Sequence, residues 1–311
     1  MQVSTNIVQI SATLDPKVGG PAQVVRQSAA ILDRYFNHHL LVIGDLYGYS
    51  GNATSLKAFL GNRYGIPKIS NLLELRRIVL SSDVLFLHGL YLMSTFLVLF
   101  FAKEQKVFLM PHGSLELYDQ KKSKYRKFFF KKLLGVFYNF ERIHILTASS
   151  SEANQVRTQF MRNRITVVGV GIEVNERAMK LSKVRPNTPL RLLTISRISN
   201  VKRIDLLIEA VALLKKNSIS FKLIIAGSGK KSLLKHLRND VKILDLESEI
   251  EFLPFVMGER KTEIIDQSDI FVIASDNENF GVSVAEAIVR GIPVVVPASV
   301  GISNFVQMHS T

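Results

Sequence analysis

A chain of 311 residues, 47% apolar and 21% charged, is long enough for two domains with full cores. Without cysteine it has neither a disulfide framework nor thiol catalysis. Its formal charge of +14 calls for an anionic partner, nucleic acid, lipid or a phosphorylated ligand, and the lack of an RNP aromatic motif or zinc finger argues against nucleic acid.

In chain order, the start Met1-Gln-Val-Ser-Thr-Asn-Ile-Val-Gln-Ile10 lacks a basic region and a long apolar core, so it does not read as a signal peptide, and an intracellular location is expected. Short apolar runs then alternate with amphipathic stretches. Ile7–Ile10, Leu40–Ile43, Val84–Leu87, Lys106–Met110, His144–Thr147 and Ile165–Val168 read as strands, and Pro21–Tyr35 and Ser151–Met161 as helices. Leu90–Ala102 is the longest apolar run, 13 residues. A bilayer span needs about 18–20, so contact with a membrane is possible and crossing is not expected. The polar, proline-punctuated Ser182–Pro189 reads as a linker. A second series of strands follows at Leu190–Ile195, Phe221–Ala226, Ile250–Leu253, Ile270–Ala274 and Val294–Val296. The alternation predicts α/β architecture: two Rossmann-like domains with parallel sheets, residues 1–182 and 183–311, facing each other across a cleft.

Several loops of this pattern carry chemistry. Gly19 and Gly20 follow the first strand and precede a helix opened by Pro21, where backbone amides can approach a phosphate. They also suit a plain βα turn, and they do not form the G-x-G-x-x-G of a nicotinamide dehydrogenase. His88-Gly89 and His112-Gly113 each follow a strand. His112 can hydrogen-bond a sugar hydroxyl or serve as an ordinary loop histidine. Lys121–Phe137 holds seven cations and no acid, with Phe130, Leu133, Leu134 and Phe137 on one helical face. It fits an anionic membrane interface or a core-packed helix with a cationic rim.

In the second domain, Arg197 and Lys202 flank a strand-to-helix loop and can form an anion site. Gly227, in Ala226-Gly-Ser-Gly229, is a close-approach turn of the same class. No Asp-x-Asp pair occurs, so a carboxylate site for a metal-bound diphosphate is not expected; cations would neutralise that charge. Glu278 falls in the loop after a buried strand, at the sheet's carboxyl end, and Glu286 in the helix that follows Gly281. Spacing alone suits both a pair of hydroxyl-binding carboxylates and a solvated loop and helix surface.

Together these motifs resemble the retaining glycosyltransferases of family 4, which have the GT-B fold. Ser275-Asp-Asn-Glu278-Asn-Phe-Gly281-Val-Ser-Val-Ala-Glu286-Ala with Gly291-Ile-Pro293-Val-Val is similar to the family's E-x-F-G-x-x-x-x-E-A…G-x-P-V-V signature. Arg197 and Lys202 match its G-R-x-x-x-x-K loop, with Ser196 for the usual Gly and Arg203 for the common Gly after the Lys. Gly19-Gly20, His112-Gly113, Ser151-Glu152 and Val167–Ile172 match more loosely.

The resemblance implies transfer of a sugar from a UDP- or GDP-type donor with retained configuration and no metal. Arg197 and Lys202 would neutralise the departing diphosphate and Glu286 would hold the ribose. Glu278, with Asn279, Phe280, Gly281 and Val282, would hold the transferred sugar. His112 would reach that sugar from the first domain, and Gly19 and Gly20 would sit near the phosphates and the acceptor; the Gly227 turn is counted with the donor-binding residues. The implied acceptor is a glycan or a polyprenyl-linked oligosaccharide at the cytoplasmic face of the cell membrane, with Lys121–Phe137 as the contact to anionic lipid. Against that pattern the chain stops early, at Thr311, and Gly301–Val306 reads as the opening of a region that similar proteins continue. Two other readings stay open: a relative that binds donor or membrane without turnover, and a nucleotide-sugar epimerase on the same fold.

Overall fold

The computed structural model describes residues 3–59, 65–114, 142–172 and 188–309. The chain forms two compact units, Met1–Gly171 and Ile172–Thr311. The expected boundary at 182/183, most of the linker Ser182–Pro189 and the whole basic segment Lys121–Phe137 lie outside the described residues. Among the described residues, no helix is long and apolar enough to cross a membrane.

Unit 1 runs β1 (Val3–Ser11), α1 (Gly20–Tyr35), β2 (Phe36–Ile43), β3 (Ala53–Leu56), α2 (Leu72–Leu80), β4 (Val84–His88), α3 (Met93–Phe101), β5 (Lys106–Met110), β6 (Ile143–Thr147), α4 (Ser150–Arg157) and β7 (Arg164–Val167). Its seven strands lie in the order β3-β2-β1-β4-β5-β6-β7, every pair parallel. The strands are apolar on both faces because both faces are covered. Leu40 and Val42 of β2 pack with Val25 and Ala29 of α1. Their neighbours Leu41 and Ile43 point the other way, into a cluster with Leu75 and Val79 of α2 and Val98 of α3.

Unit 2 runs β8 (Leu190–Ile195), α5 (Ile204–Lys216), β9 (Phe221–Ala226), α6 (Lys231–Ile243), β10 (Ile250–Leu253), α7 (Gly258–Asp266), β11 (Ile270–Val272), α8 (Val282–Ile288), β12 (Val294–Val295) and α9 (Ser303–His309). The parallel order is β10-β9-β8-β11-β12. Leu192 and Leu193 divide the β8 faces, the first among α5 and α6, the second among α7 and α8.

In each sheet the direction of winding reverses once, between β1 and β4 and between β8 and β11. Loops leaving the carboxyl ends of the strands at such a switch point diverge and leave a crevice for ligands. That places four loops in functional positions: those after Ser11 and His88 in unit 1, and those after Ile195 and Val272 in unit 2.

Candidate active site

The loop after β8 stays close to the sheet. Ser196 N–H donates to Ala226 O at 3.1 Å and Ile198 N–H to Ser228 O at 2.8 Å, continuing the ladder beyond the strands. That approach requires glycine opposite. A Cβ on Gly227 would lie 1.9 Å from Ser196 O, and one on Gly229 2.2 Å from Ile198 O. The chain then makes a short turn, Asn200–Lys202, and enters α5 through Arg203 in the left-handed region, φ 47°. This is the position where the resembled family commonly has glycine. Its guanidinium bonds Asp205 at 3.0 Å and Asp276 at 3.4 Å, and these acids, Asp205 first, raise its pKa.

The loop after β11 comes alongside. Asp276 N–H donates to Val201 O at 2.9 Å. Gly301 and Ile302 N–H groups donate to Glu278 O and Phe280 O, both at 2.9 Å, tying Glu278–Phe280 to the loop after β12. Gly281 then takes φ 97° as the residue before α8, with Val300 Cγ1 only 2.9 Å from where a Cβ would stand. These ties bring Lys202 Nζ and Glu278 Oε2 into an ion pair. The lysine side chain is only 10% exposed and the glutamate 29%. The pair joins the two loops of the switch point. Beside it, Asn279 Oδ1 is buried without a hydrogen-bond partner. Arg197 is exposed, and Glu286 Oε2 lies 2.5 Å from Lys261 Nζ of α7. Each candidate carboxylate therefore holds a lysine.

In unit 1, Gly19 turns at φ 91° to cap α1, whose first residue is Gly20, and a Cβ there would meet nothing within 4 Å. Room remains above a helix N-terminus. His112 follows β5 in the left-handed region, φ 54°. Its Nε2 lies 2.8 Å from His88 Nδ1, the rings stacked with centroids 5.1 Å apart. Burial pushes the His112 imidazolium down to about 4 and that of His88 well below its usual range. Both are neutral bases near pH 7. Behind His88 the contacts continue to Gln9, His38, Asp33 and Tyr49.

The turn carrying His112 is fastened by Glu152, which is 1% exposed. Its Oε1 accepts from Gly113 N–H at 2.5 Å and its Oε2 from Ala148 N–H at 2.8 Å. Ser149 caps α4 by accepting from Glu152 N–H, so Ser149-x-x-Glu152 has the spacing of a capping box. That spacing was the available signal for Glu152, although the carboxylate serves two loops. His88, a less distinctive histidine in the sequence, is the inner partner of His112. Gln9 was signalled only as a polar residue in the apolar run of β1.

Comparison with known proteins bears on unit 2 first. Residues 175–311 match the family model for glycosyl transferases group 1. The amylovoran biosynthesis glycosyltransferase AmsK of Erwinia amylovora is 30% identical over 150 residues, 46% of this chain and 36% of that protein. The chain thus aligns with little more than a third of the length of such curated relatives. Over 96% of the chain, the Anabaena HepE structure in complex with UDP and glucose superposes with TM-score 0.71 at 17% identity, covering 82% of HepE. Sucrose-phosphate synthase of Thermosynechococcus elongatus gives 0.72 at 16% identity, over 97% of this chain and 83% of that one. The expected GT-B-type α/β fold is thereby shown, and residues 175–311 are the part of the chain that is similar to the group 1 glycosyl transferases.

Proposed function

We propose that this chain is a retaining, metal-independent glycosyltransferase that moves a sugar from a UDP- or GDP-sugar to a glycan or polyprenyl-linked acceptor in cell-surface polysaccharide synthesis, working at the cytoplasmic face of the membrane. The observation that carries the reading is the Lys202–Glu278 pair at the unit 2 switch point. A donor diphosphate competes with Glu278 for the lysine. Once Lys202 and Arg197 turn to the phosphates, Glu278 is released to accept hydrogen bonds from the sugar's hydroxyls. Charge that develops on the leaving diphosphate then meets cations already in place, without a metal. Glu286 exchanges Lys261 for the ribose, and the amides of Asn279–Gly281 together with Val282 line the sugar's side. In unit 1, Gly19 and Gly20 offer amides to phosphate, and His112 offers a neutral ring to the sugar. The relatives' roles in polysaccharide synthesis support the acceptor class, and the +14 charge supports an anionic surface as partner.

The test is nucleotide release from a panel of UDP- and GDP-sugars, with chelator present, in the presence and absence of lipid-linked and glycan acceptors. Acceptor-dependent release that survives chelation and falls about a hundredfold or more in Lys202→Ala and Glu278→Ala is expected. Acceptor-independent change of the sugar would identify an epimerase. Donor binding without turnover would identify a binder.

A further inference from the structure

The buried line behind His112 has a defined direction. Gln9 is wholly buried, and its Nε2 faces Val25 O at 3.2 Å, Ser28 Oγ at 2.9 Å and His88 Nε2 at 2.7 Å. A carbonyl oxygen only accepts, so the atom facing Val25 O is the amide nitrogen. That nitrogen has two N–H groups for three neighbours and cannot accept, so a proton on His88 Nε2 would meet no acceptor; across this contact, the shortest of the three, Gln9 donates and His88 Nε2 carries no proton. Neutral His88 keeps its proton on Nδ1 and donates it to His112 Nε2. His112 Nε2 is thus bare as well, and the proton of its neutral ring sits on Nδ1. At the other end, Gln9 Oε1 accepts from His38 Nε2–H at 3.1 Å. His38 Nδ1 and Asp33 Oδ1, 2.7 Å apart, need a second proton between them, so this pair is net neutral and anchors the line without a bare charge. Tyr49 donates to the other Asp33 oxygen at 3.0 Å.

We propose that Gln9 and His88 are positioning residues that hold His112 in the Nδ1–H tautomer, so that unit 1 presents one defined hydrogen-bond donor to a hydroxyl ligand. Both stand on the switch-point strands, Gln9 on β1 and His88 at the end of β4, where neighbouring backbone fixes them. The catalytic purpose rests on reading His112 as a sugar contact; the tautomer does not.

The experiment is a long-range proton–nitrogen correlation on the whole chain labelled with ¹⁵N-histidine, at pH 7.5. His112→Asn identifies the resonances of His112 among the seven histidines and suits the left-handed backbone. The expected pattern is a neutral His112 with a protonated Nδ1 and a bare Nε2. An Nε2–H ring or an imidazolium in the wild-type spectrum overturns the proposal without any variant. Gln9→Leu and His88→Phe are each expected to release His112 into mixed tautomers and to lower kcat roughly tenfold, as happens when the group orienting a functional imidazole is lost, with donor KM little changed. A His112 spectrum unchanged in the folded variants also overturns it. If the wild type shows the expected tautomer but no transfer from any donor, the functional reading fails and the positioning line stands.

Discussion

Two residue-scale contacts give separate predictions. Lys202 and Glu278 are each other's counter-ion, and removing one leaves the other partly desolvated. Lys202→Ala is expected to cost about 1–2 kcal/mol of stability, below the full cost of breaking a buried pair because Glu278 keeps some water. The double variant with Glu278→Ala should recover part of that loss, and denaturant titration of the four proteins measures the coupling. Additive losses would mean that the two side chains do not act as a pair. Glu152 is more demanding. A glutamine has one acceptor oxygen where the carboxylate uses two, so Glu152→Gln must turn an NH₂ towards Ala148 or Gly113 N–H. A loss of about 1–3 kcal/mol is expected, with transfer impaired through a loosened His112 turn. A variant as stable and active as wild type would refute the clamp. At this scale the sequence placed Glu278 and Glu286 on one strand-to-helix segment, because their spacing is local, but it did not give Lys261 as the counter-ion of Glu286. It hid Gln9 with His88 and Glu152 with Gly113, since those pairings depend on how distant strands are ordered.

At the scale of elements the prediction concerns Gly227. Its conformation matters less than its neighbour: the ladder from β8 to β9 continues past the strand ends, and a Cβ would overlap the carbonyl of Ser196. Backbone cannot rotate out of the way as a side chain can, so Gly227→Ala should cost about 3 kcal/mol and displace the turn that carries Lys202. Urea unfolding reads the first effect and donor titration the second; Gly19→Ala, with open space for its Cβ, is the comparison and should cost much less. Apolar strand segments were legible because burial on both faces leaves a continuous run, as in Leu40–Ile43, whereas the first half of β2, Phe36–His39, was not read as strand. Ala53–Leu56 escaped, being an edge strand with Leu56 as its one fully buried side chain. Strand ends were overestimated at Ile270–Ala274 and Val294–Val296, where apolar residues continue past the last paired position into the site loops.

For the molecule as a whole, charge and burial set the response to acid. Composition already foretold two cores, and each hydrophobic cluster draws its members from one unit. What composition could not convey is that two of the seven histidines, His88 and His112, are held neutral inside unit 1, because burial depends on the strand order that brings β4 and β5 together. His112 has its pKa near 4 folded and near 6.5 unfolded. As pH falls below 6.5 the unfolded chain takes the proton first, so stability present at neutral pH is lost through the interval down to 4, by about 2–3 kcal/mol for this one group. His88 and His38, also lowered, act in the same direction. Rising positive charge destabilises the folded chain too, but that effect is common to any variant and cancels in a difference. Stability of wild type and His112→Asn, measured by urea unfolding at pH 7.5, 5.5 and 4.5, should therefore diverge in slope. The wild type is expected to lose about 2 kcal/mol more than the variant by pH 4.5. Parallel slopes would show that His112 titrates normally, and the neutral ring assigned to it would have to be abandoned.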